Sequence, residues 1–144
     1  MSTGLTRAAL AGSGAILGAI GSSIMLAPRV FLATSEVMLG HDPNLMSEIT
    51  APSGLLVVAG AFMMFSGLKL RFVNLGLICG GLVYGTYGVS RLISMQLHGV
   101  PSDTLVVVTW FELGIAALLL GLSLKGRQAK SVRHFSSFDR EVTQ

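Results

Sequence analysis

One cysteine, Cys79, occurs in 144 residues, which excludes a disulfide framework or a cysteine-built zinc site within a single copy. Charge is also scarce: Asp, Glu, Lys and Arg make up 12% of the chain, whereas 51% is hydrophobic. At a mean hydropathy of +0.71, a chain of this length is too apolar for an ordinary soluble domain. His41 and His98 stand on separate stretches with no HxxH or HExxH spacing, so no metal site is expected. A nucleophile motif and a phosphate-cradling glycine loop are lacking as well, so no catalytic residue and no bound cofactor is predicted.

What the chain has instead is uncharged length. Residues 8–27, 49–68 and 72–90 carry no charge, and from 104 to 124 the only charge is Glu112. Each run is close to the roughly 20 residues that carry a helix across a hydrocarbon core. The pattern predicts an all-α, four-span membrane helix bundle over residues 1–124, with spans at about 8–27, 46–68, 72–95 and 103–124, followed by a basic tail, 125–144. The stretch Met25-Leu26-Ala27-Pro28 lacks the small-x-small pattern of a cleavage site, so the first span reads as a retained anchor.

Lys and Arg set the orientation. Arg7, Lys69, Arg71 and the tail residues Lys125, Arg127, Lys130, Arg133 and Arg140 fall on one face of a four-span protein. The other face has Arg29 and Arg91 against Glu36, Asp42, Glu48 and Asp103. The positive-inside rule then places both termini in the cytoplasm, and in a bacterial cell this means the inner membrane. Across residues 28–44, Pro28 opens a turn and apolar residues interleave with polar ones, as in a short interfacial helix. Asn44 is a candidate cap for the second span, and Ser102 or Asp103 for the fourth.

Glycines at helical spacing mark packing faces. Gly14 and Gly18 recur in the first span, and Gly76, Gly80, Gly81 and Gly85 give the third span two small faces and a central position. Small residues let helix backbones approach in lipid, where packing replaces the hydrophobic drive. The same faces suit packing within the bundle, self-association or docking on another membrane protein.

The richest polar constellation is Glu48, Arg91 and Glu112, which the topology brings to one leaflet. Glu112 lies nine residues after Asp103, about 13 Å along a helix, too deep for an unpaired carboxylate. Either Arg91 pairs with it or Glu112 is protonated. Tyr87 and Tyr84 share the Arg91 face, one and two turns deeper respectively. The group reads either as an ion pair that fixes helix register or as a pocket for the polar end of a lipid, quinone or other amphiphile. A proton relay would require a second acid toward the opposite half, and the sequence has none there. Trp110, two residues before Glu112, points to lipid or to interhelical packing.

From about Pro28 to Leu124 the chain resembles the bacterial four-span family known as the domain of unknown function DUF4345. The elements that carry the likeness are Glu48 followed by Ala51 and Gly54, then Arg91 with Ser94, the Gly99-x-Pro101 turn and the embedded Glu112. The resemblance implies a compact bundle similar to the DoxX-like small membrane proteins and brings no activity with it. This chain departs from the family pattern at Thr50, Ser90 and His98. At Thr50 the family often has a second basic residue, so Arg91 is left alone among two acids.

Two functions remain open on these residues. One is an accessory or structural subunit of a larger inner-membrane complex, packing through its glycine faces. The other is a binding protein for an amphiphile around Arg91 and Glu112. A small carrier or an enzyme fits less well, because broken helices, inverted repeats and reactive clusters are all missing. Membrane lipids and another integral protein or a second copy are the expected partners. Nucleic acid is not, since the basic tail is short and explained by topology.

Overall fold

The computed structural model describes the backbone of residues 3–142 and the side chains of residues 4–126. Helices run over Thr3–Leu26 (α1), Pro28–Ala33 (α2), Pro43–Leu68 (α3), Val73–His98 (α4) and Asp103–Val142 (α5), with no strand among the described residues. The all-α bundle expected from the uncharged runs is present. Four helices, α1, α3, α4 and the part of α5 up to Gly126, are long and apolar enough to cross a membrane. Only 28–33% of each apolar window is buried inside the chain. So much outward-facing apolar surface is stable against lipid and not against water.

Local chemistry sets the helix ends. Pro28 disfavours helical backbone at the residue before it; Ala27 accordingly turns out at φ −144°, ψ 58°, and α2 restarts with Pro28 in its first turn. The short helix anticipated after the first span is therefore α2, with Val30 exposed and Phe31 and Leu32 half-buried. Asp42, and not Asn44, caps α3: its carboxylate accepts from the Asn44 amide at 3.0 Å, and Pro43 takes the first helical position. Proline there has no N–H to leave unsatisfied, which shifts the cap one residue before it. Gly99, at φ 94°, ends α4 while its amide donates to the Met95 carbonyl, the left-handed stop that glycine favours.

Ser102 does not use its hydroxyl as a cap. Its Oγ donates to the Ser35 carbonyl at 3.1 Å, tying the connection after α2 to the start of α5. Its own carbonyl accepts from Leu105 and Val106. The fourth span runs without a break into the basic tail, and the whole of α5, 40 residues, is about 60 Å long, twice a hydrocarbon core.

The spans alternate in direction and pair as two antiparallel hairpins, α1 with α3 and α4 with α5. Glycine sets the first contact. A methyl group on Gly60 would lie 2.6 Å from both the Gly14 carbonyl oxygen and the Gly18 nitrogen, and one on Gly21 would lie 2.8 Å from the Ser53 oxygen. Helix α4 joins the hairpins, with Gly76 against Ser66 and Leu10, and Gly80 against Met63 and Leu119. Gly81 and Gly88 are filled by Leu120 and Leu113 of α5. No Cα of α3 comes within 8 Å of one in α5 among the described residues, whereas α4 reaches all three other spans.

Arg7 closes the end that also carries Lys69 and Arg71, called here the basic face. Its Nε donates to the Gly67 carbonyl at 2.6 Å and its Nη2 to the Leu68 carbonyl at 3.2 Å, meeting carbonyls that a helix terminus leaves open. Ser123 donates to Asn74 Oδ1 at 2.8 Å and links α5 to α4 near the same face. The opposite, distal end is packed differently: no residue from 22 to 52 and none from 89 to 108 is buried.

Candidate functional site

The distal stretches Pro43–Pro52 of α3 and Val89–His98 of α4 contain no buried residue, so about 15 Å of each helix stands free of the core. Arg91 lies three residues beyond Gly88, the last buried position of α4. Glu112 lies three residues after Thr109, the first buried position of α5. The two therefore meet at the floor of the loosely packed half. Arg91 Nε donates to Glu112 Oε2 at 3.0 Å, and the side chains are 33% and 12% exposed. This is the one ion pair among the described residues.

The pair is joined through a single contact. Arg91 Nη1 and Nη2 and Glu112 Oε1 have no hydrogen-bond partner among the described residues. The only buried side-chain nitrogen or oxygen without a partner there is Ser66 Oγ, so these atoms of the pair must reach a surface. Tyr87 is half-buried and its hydroxyl is likewise unengaged. It stands four residues before Arg91, one turn along the same helix. Two guanidinium nitrogens and a carboxylate oxygen thus stand together with unused hydrogen-bonding capacity, with a phenol one turn away on α4.

Other expected members are placed elsewhere. Glu48 is exposed and pairs with neither residue, which corrects the grouping of the three charges. It sits in the outer turns of α3, a helix that packs on α1 and does not approach α5. Tyr84 is buried, and its hydroxyl donates to the Ser13 carbonyl at 2.7 Å, pinning α4 to α1 at mid-depth below the open region. Trp110 is 64% exposed and faces lipid.

Of the small-residue positions, Gly14, Gly76, Gly80 and Gly81 lie in tight helix contacts, Gly85 meets Ala116 at an ordinary 3.6 Å, and a methyl group on Gly18 would meet nothing within 4 Å. Gly18 matters through its backbone, which faces Gly60. Gly21, Gly60 and Gly88 escape a search for four-residue spacing. Their signal is a spacing of seven, seen in Gly14/Gly21, Gly60/Gly67 and Gly81/Gly88, which keeps small residues on one seam of a left-handed crossing. No group of three or more His, Cys, Asp or Glu side chains is arranged to hold a metal ion among the described residues.

The fold and this pair define a multi-pass membrane protein, a four-span helical bundle with an ion pair between its third and fourth spans. The chain belongs to the family described as Domain of unknown function (DUF4345), whose model matches residues 5–123. No curated protein and no solved structure matches it.

Proposed function

We propose that this protein binds the polar end of an amphiphile at Arg91, Glu112 and Tyr87, in the leaflet next to the distal face. The reading is carried by the unused hydrogen-bonding groups of the Arg91–Glu112 pair, which reach a surface about 10 Å below the end of α4. Donors at that depth are costly to leave without acceptors. A pair serving only helix register would gain from closing its second contact, and this one leaves it open. The excess of Lys and Arg on the basic face supports a cytoplasmic location for that face and, in a bacterial cell, the inner membrane. A lipid or quinone would then enter from the outer leaflet.

Native mass spectrometry of the protein, extracted gently from its own membranes, tests the reading. One defined amphiphile per chain is expected, and its loss from the Arg91→Met, Glu112→Leu double variant. A chain that carries no amphiphile overturns the proposal.

The second reading is an accessory subunit. Most glycine faces that suggest it are spent inside the bundle, yet Gly114 and Gly121 repeat the seven-residue spacing on α5 with nothing against them. A stoichiometric protein partner in the same spectrum, lost on Gly114→Leu, is the result that would favour it.

A further inference from the structure

We infer that the head recognised at this site is uncharged, offering a carbonyl-type acceptor to Arg91 and a hydroxyl-type donor to Glu112. The inference rests on the binding reading above and adds the ligand's class.

Charge and unused hydrogen-bonding valence decide which head group fits. Arg91 alone would favour a carboxylate or phosphate, which its fork can hold through two nitrogens. Here Nε is already committed to Glu112 Oε2 at 3.0 Å, so the pair is formally neutral. A bound anion would lie beside the Glu112 carboxylate in a poorly hydrated setting and compete with it for the same guanidinium. No second Lys or Arg lies on α4 or on α5 at the level of the pair among the described residues, and His98 stands two turns beyond Arg91 at the end of α4. On the distal face two arginines, Arg29 and Arg91, stand against Glu36, Asp42, Glu48, Asp103 and Glu112.

A cation is no better placed, because the unengaged edge of Arg91 is itself positive. A zwitterion would bring two more full charges out of water, which is repaid only by close pairing of both. An uncharged head avoids these costs. Its acceptor meets the terminal nitrogens of Arg91, its hydroxyl donates to Glu112 Oε1, and the Tyr87 hydroxyl can serve either way. Charged groups in the site then gain hydrogen bonds without a change in net charge, and hydrogen bonds to charged groups are the stronger kind.

The test uses two probes that differ by one phosphate: 1-oleoylglycerol and 1-oleoylglycerol 3-phosphate, titrated in turn into the delipidated full chain in neutral detergent and followed by native mass spectrometry. The neutral probe is expected to bind once per chain and at least tenfold more tightly than the phosphate. Tyr87→Phe should weaken it a few-fold, and Arg91→Met with Glu112→Leu at least tenfold, in protein whose far-ultraviolet circular dichroism is unchanged. Should the double variant not fold, the preference of the wild-type chain between the probes still decides. Tighter binding of the phosphate overturns the assignment of an uncharged head and leaves the binding reading standing. Binding of neither probe overturns both.

Discussion

The two ends of the bundle are packed to different degrees. Toward the basic face, burial extends to Gly67, one residue from the end of α3, and starts at Gly76, the fourth residue of α4. At the distal end ten residues of each helix lie outside the core. The difference traces to where small residues fall. Gly14, Gly60, Gly76 and Gly80 bring backbones together from mid-depth toward the basic face. The distal part of α4 offers Arg91 and Met95, too large for such approach. Close packing of backbones and the partly exposed Arg91–Glu112 pair fall at different levels of this bundle.

The largest expected break of that contrast is in the packed region. Gly60→Leu would drive a side chain into the backbone of α1, where the atoms cannot move aside, and should cost on the order of 3 kcal/mol or more; the check is unfolding in a mixed detergent series. Gly18→Ala, one helix away, should change stability by less than about 1 kcal/mol, because its side chain enters open space.

At the junction of the two regions, Glu112→Ala leaves Arg91 without a counter-charge. Because Arg91 is a third exposed, the expected loss is about 2 kcal/mol, below the value for a fully buried pair. Adding Arg91→Met should restore most of it. Recovery of stability together with full amphiphile retention would show that the open end does not depend on the pair.

Tyr84→Phe removes a buried hydroxyl and its bond to the Ser13 carbonyl, which still has its helical partner, so the loss should be about 1 kcal/mol. The smallest effect belongs to the distal face. Ser102→Ala frees the connection after α2, with less than about 0.5 kcal/mol of global change expected but faster amide exchange across residues 34–40. Unchanged exchange there would mean that the Ser35 contact does not hold the connection.

Several levels of the structure were legible from residue order. The uncharged runs determined four spans and an all-α fold, since a backbone in lipid must satisfy its hydrogen bonds within each segment. The depth of Glu112 called for a cation or a proton, and the structure supplies Arg91. Pro28 and Gly99 marked the ends of helices by their own backbone restrictions. Three things were decided by the tertiary structure alone. Glu48 shares a leaflet with Arg91 yet stands on a helix turned toward α1, and leaflet depth says nothing about rotation around a helix axis. Gly60 and Gly21 became close backbone contacts because α1 and α3 cross there. That the Arg91–Glu112 pair is joined through one contact depends on how α4 and α5 are set against each other, and that is decided by packing between helices, which no local pattern records.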